Sequence, residues 1–371
     1  MIARRSFRAP RFALVTLYSN WSLCFSEAAA LFSFRLNNAT KFLSRLIITS
    51  HMSSPQNAEQ ISGWPEFSFS LPPDVHRAIF EMAGIVYPEE IPKLMAVSHA
   101  AYSWLEPLQF KVVALTPYTQ RWPRYWPLWS MSPGFLRNTV RHLCLHKIEY
   151  PVGGMLYTCT EVVDLSLRPK ARPPNDRGPL FFLLLEQMKD LQRLSTDFDI
   201  LLDGFERLTH PIFHNITHLT MFNRIEGYGW DKWKDLAVLP SLTHLCMREI
   251  ITPDMFHGVL DNCQTLKVFV NWFRAAAFDE LQPEWLKQYC MNLGVTDVRF
   301  VMLEIQDWVY EWETGARKGE NFWDRAEAFI AGKKRGAILE SLYWVDQGPH
   351  PYWAHLDPPV PPSDDEMLDT L

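Results

Sequence analysis

The sequence predicts an α/β chain in which a short helical segment precedes a stack of strand–helix repeats whose strands form one parallel, concave sheet. Three observations predict it. A short apolar pattern recurs between residues 140 and 344, the intervals between its copies carry helix signals, and a block of helical periodicity lies just upstream. The expected organisation is a leader and N-terminal stretch at 1–63, a helical segment at 64–117, the repeats at 118–356 and a tail at 357–371.

The leader is Arg- and Ser-rich. Seven Lys/Arg stand against Glu27 within residues 1–51, giving +6, so the net charge of −6 leaves −12 for the rest. This is the composition of a mitochondrial transit peptide, although the polar stretch opening at Met52 reads like a natural disordered start that would leave the leader outside the folded protein. The apolar run from Phe12 to Phe34 is broken by Asn20, several Ser and Glu27, which argues against a membrane span.

Residues 71–116 form the helical block. After the Pro72-Pro73 start, Val75, Ile79, Phe80 and Met82 share a face; after Pro92, so do Leu94, Val97, Ala101, Trp104 and Leu105. The β-branched pair Val112-Val113 reads as the strand joining this block to the repeats. Leu71-Pro72, the helix through Ile79-Phe80, and Leu94 through Val97-Ser98 to Trp104 resemble an F-box. The resemblance covers about 45 residues and departs from the family pattern at Ser98 and Phe110 and in a longer link from Gly84 to Ile91. It implies that Leu71, Pro72, Ile79, Phe80, Leu94 and Val97 bind the Skp-type adaptor of a cullin ubiquitin ligase.

Between block and repeats lies an aromatic cluster, Tyr118 to Trp129, read as a cap over the first repeat, with base stacking or a Pro-rich peptide as the alternative. The repeats themselves anchor on Leu143, Leu165, Leu194, Leu219, Leu245, Phe269, Val298 and Leu342. Each anchor sits in a stretch ending with period-two alternation, as a strand with one buried face requires. Thr252 and Pro253 announce a helix, further helices are expected at 180–189 and 284–291, and the last interval has room for two, one of them from Asn321 to Ile330 and closed by Gly332. A strand and a helix every 20 to 29 residues resembles the leucine-rich-repeat pattern, in an irregular form whose strand-following Asn is present only at Asn223. The whole chain resembles the fungal F-box-like proteins with degenerate leucine-rich repeats.

In that register, the residues beside the anchors line the concave face and are expected to meet a protein target. They are His142, Asp164, Arg193 and His218, followed by Thr220, His244, Arg299 and Tyr343. His142, His218 and His244 hold the same place in three repeats, and His218 and His244 are close enough to stack. No carboxylate or Cys lies at ligand spacing to complete a metal set or a triad, so they read as surface residues.

Neither a phosphate-binding glycine loop nor a buried acid pair is present, and no catalytic residue, metal or cofactor is expected. The six scattered Cys read as reduced, buried thiols, and the acidic body lacks the basic face that nucleic acid needs. Cytoplasm or nucleus follows, or mitochondria if the leader is genuine. The tail, with five acids among prolines, should be solvated. The expected function is substrate recognition within a Skp–cullin–F-box ligase, the alternative being a stand-alone binding scaffold in which the helical block is only a cap.

Overall fold

The structure, a computed structural model, describes residues 71–117, 128, 130–147, 152–168, 183–198, 208–223, 229–248, 250–273, 283–318 and 321–345. The leader, the tail and all of the aromatic cluster except Leu128 and a few flanking positions lie outside these residues. The described residues from Pro73 onward form one compact unit.

The described chain opens with three helices: α1 (Pro73–Val86), α2 (Ile91–Met95) and α3 (His99–Phe110). Pro73 stands in the first turn of α1, where a missing N–H costs nothing, and Asp74 complements the positive end of the helix. Ser98 caps α3 by accepting the Ala101 N–H at 3.0 Å. Gly84 lets α1 cross α3 closely, since a Cβ there would lie 3.0 Å from Leu105 Cδ2.

From α3 the chain passes directly into β1 (Val112–Leu115). The next strands are β2 (His142–His146), β3 (Asp164–Arg168), β4 (Arg193–Thr196) and β5 (His218–Met221). The sheet continues through β6 (His244–Arg248), β7 (Val268–Phe273), β8 (Phe300–Glu304) and β9 (Trp344–Val345). All neighbours are parallel and lie in chain order, so the protein is α/β with an open nine-stranded parallel sheet. The predicted anchors fall in one row: Leu143, Leu165, Leu194, Leu219, Leu245 and Phe269 are successive register partners, with Val113 of β1 ahead of them.

The row continues through Phe300, not Val298. The reason is local. Asp297 accepts the Arg299 N–H at 2.8 Å, and its backbone carbonyl accepts the Phe300 N–H, forming a turn where the apolar pattern predicted a strand.

One face of the sheet carries the anchor row and packs on helices between the strands. These are α4 (Pro133–Thr139), α5 (Val152–Thr158), α6 (Trp230–Trp233), α7 (Pro253–Asn262) and α8 (Pro283–Leu293). Thr252 caps α7 as its sequence predicts, accepting the Met255 N–H at 3.2 Å. Of the helix expected at 180–189, the described part, Leu183–Leu185, is helical and runs into a turn at Glu186 and Gln187.

Strand ends are tied sideways by buried amides. Asn223 accepts the Phe198 N–H at 2.8 Å, and Asn271, fully buried, donates to the Met247 carbonyl at 3.2 Å and accepts from Tyr289 Oη at 3.0 Å.

The last interval folds differently from all the others. α9 (Trp308–Lys318) and α10 (Phe322–Lys334) lie on the opposite face of the sheet, where Trp308, Trp312, Phe322, Trp323 and Phe329 build a second core with Val112, Cys144, Val270, Trp272 and Leu303. Asn321 and Asp324 form a capping box that starts α10. Gly332 does not end the helix: it lies under Ile338, whose Cδ1 would be 2.6 Å from a Cβ, and the chain turns at Gly336 with φ +71°.

Candidate functional sites: a helical groove and a covered sheet face

Two places were marked by the sequence. The first is the helical segment. On α1, Val75, Met82 and Val86 are exposed, Met82 by 61%, and with Ile79, Ala83 and Tyr87 they line an apolar surface groove. Ile79 and Phe80 are half-buried, as are Leu71, Leu94 and Val97, whereas Pro72 is exposed. Phe80 turns inward, its ring 6.1 Å from that of Trp104 on α3. Of the six residues the F-box resemblance marks, Ile79 is the one that lines the groove; the rest of its lining is Asp74, Val75, Ala78, Met82, Ala83, Val86 and Tyr87. Periodicity pointed to Val75 and Met82 but not to Val86 and Tyr87, which lie where the helix ends.

The second place is the face expected to meet a target. It is already occupied. Trp312 Nε1 donates to Asp164 Oδ1 at 3.0 Å, Trp308 Nε1 donates to Ser166 Oγ at 3.2 Å, and Arg317 reaches the Val112 carbonyl at 3.0 Å. Asp164, Thr220 and His244 are thereby buried, and His142, 3.7 Å from Asp164, is half-covered. An exposed concave face is therefore corrected to a buried one. Anchor spacing shows where strands lie but not which face a later helix covers.

His218 and His244 do stack, with ring centroids 4.0 Å apart and planes 6° from parallel, but beneath Trp323, which meets both edge-on. Each Nδ1 lies 2.8 Å from the hydroxyl of the preceding Thr. His244 Nε2 is 2.9 Å from Glu327 Oε1, and a carboxylate only accepts, so Nε2 carries the proton. Burial, with His244 and Arg193 nearby, pushes the His218 pKa down to about 3. Burial also holds His244 below the ordinary imidazole range, against the pull of Glu327. Both rings are neutral at pH 7.

Two residues expected on this face are elsewhere. Arg299 forms an ion pair with Asp297 at 2.7 Å and donates to the Leu260 carbonyl within the last turn of α7 and to the Leu266 carbonyl beyond it, a capping role. Tyr343 precedes β9, donates to the Val295 carbonyl at 3.1 Å and carries the Lys333 ammonium 3.5 Å above its ring.

Burial raises the thiols, Cys159 to about 12 and Cys263 and Cys290 to about 11, so they are unreactive at neutral pH. No helix among the described residues is long and apolar enough to cross a membrane. Compared with protein-family models, curated proteins and solved structures, the chain finds no match.

Proposed function

We propose that the chain is a substrate-recognition subunit of a Skp–cullin–F-box-type ubiquitin ligase, an irregular leucine-rich-repeat solenoid that docks an adaptor through α1–α3. The observation that carries this reading is the apolar stripe on α1, in which Val75, Met82 and Val86 are open to solvent and Ile79 is half-buried, while the residues behind it pack inward. The solenoid part rests on the chain-order parallel strands, the single anchor row and the buried Asn223 and Asn271 that link neighbouring repeats. Because α9 and α10 fill the opposite sheet face, the target is met by the loops at the strand ends rather than by the sheet. A second reading, a scaffold whose helices are only a cap, draws on Phe80, which already packs on Trp104.

Co-purification with a Skp-type adaptor separates the two. The wild-type chain should bind, and Met82→Asp with Val86→Asp, both at exposed positions that folding tolerates, should weaken binding by roughly a hundredfold or more, as loss of a central apolar anchor does. A wild-type chain that captures no adaptor removes the ligase reading. Unchanged binding by the double variant moves the interface off α1.

A further inference from the structure

A groove of about 670 Å3 opens beside the last strand, between α8 and the turn that leads into β9. The buried Met302 and the half-buried Cys290 line it with their sulfurs 3.9 Å apart, and Met291 and Leu342 stand in it 59% and 47% exposed. Lys287 is the only ionised side chain among its described lining residues. The path of the chain leaves this place open. After β1, β2, β5, β6 and β7 come α4, α5, α6, α7 and α8, each packed into the core on the anchor face. The helices after β8, α9 and α10, cross to the other face instead. The position that a helix after β8 would take on the anchor face is left to the groove.

Residues 346–371 lie outside the described residues, and the sequence that follows β9 has the composition to fill the groove. β9 ends at Val345, next to Tyr343 and Trp344 of the lining, and Gly348-Pro349 is a turn signal that would send the chain back over it. Tyr352, Trp353 and Leu356 come next, and residues 347–356 hold no Asp, Glu, Lys or Arg. Tyr352 is seven residues past Val345, a reach of up to about 24 Å, against about 16 Å for the whole of α8. Sulfur makes favourable contacts with aromatic rings, and Cys290, Met291 and Met302 all line the groove, so its chemistry suits Tyr352 and Trp353. Pro349 and Pro351 reduce the conformational freedom lost on docking. Tethering gives this segment a local concentration on the order of millimolar, which favours it over a second copy of the chain.

We propose that residues 350–356 dock in this groove through Tyr352 and Trp353 and cap the open end of the sheet, leaving the acidic stretch from Asp357 onward in solvent. The site is distinct from the groove on α1 and does not depend on adaptor docking.

The test is the rate at which maleimide labels a cysteine placed in the groove of the full chain, mapped by peptide mass spectrometry so that the native thiols are told apart. Leu342→Cys should label at least about tenfold more slowly than the same variant carrying Tyr352→Ser and Trp353→Ser, whose groove is uncovered. Leu339→Cys, at a position 76% exposed and outside the groove lining, should label equally in both backgrounds. Equal labelling of the two Leu342→Cys chains overturns the proposal, as does a matching acceleration at Leu339→Cys, which marks general loosening. Slowing that grows with protein concentration assigns the groove to a second copy and overturns it too. Should Leu342→Cys fail to fold, Met291→Cys on α8 gives the same comparison with the same outcomes.

Discussion

His218 sets a pH limit that its sequence position alone does not reveal. A histidine in the unfolded chain takes a proton near pH 6.5, whereas in the fold, burial beside His244 and Arg193 holds His218 neutral down to about 3. Below pH 6.5 the unfolded chain therefore binds the extra proton, and stability falls as pH drops, by up to about 1.4 kcal/mol per pH unit from this group. Urea midpoints measured from pH 7 to pH 5 should show that decline, and His218→Gln should flatten part of it relative to the wild type. An equal slope in both would place the acid sensitivity elsewhere. The equivalence of His218 and His244 was legible in the sequence, from their shared place before the anchor. Their burial was not, because Trp323 comes from a helix some eighty residues further along the chain.

Among the elements, α7 was the most readable and α6 the least. Thr252, Pro253 and the apolar spacing specify α7, each signal acting within a single turn or two. The four-residue α6 has too few residues for a periodicity, and only contact places it: Trp230 lies against Gly258 of α7, where a Cβ would fall 2.3 Å from the indole ring. Gly258→Ala should therefore cost about 1–3 kcal/mol by overpacking, although alanine is the better helix former. In the Trp230→Ala background the same change should cost much less, a non-additivity that denaturant unfolding of the two single variants and the double variant measures. Strand β8 shows the opposite balance. The apolar pattern of residues 295–300 reads as a strand centred on Val298, but the short-range turn of Asp297 wins and moves the strand start to Phe300.

Over the whole molecule, the sheet is sandwiched unevenly. Among the described residues, helices between strands cover the anchor face, while α9 and α10 alone close the other face. Trp312 joins that roof to the sheet, through apolar contact and through its bond to Asp164. Trp312→Ala should destabilise the chain by about 3–5 kcal/mol, the cavity adding to an acid left without its donor. Calorimetry and denaturant midpoints give the loss, and a cost within that of a surface substitution would mean that the roof contributes little to folding.

The sequence by itself determined the α/β class, the chain-order succession of strands and six of the eight anchor positions, because strand periodicity and helix caps are local and repeat at regular intervals. It also marked α1 as an amphipathic helix. Only the tertiary structure decided that α9 and α10 cross to the far face, because the apolar residues of a helix specify that a face is buried and not which surface buries it. That crossing turns Asp164, Arg193 and His218 from an open binding surface into the floor of a small polar cavity, with His244 beside them under Trp323.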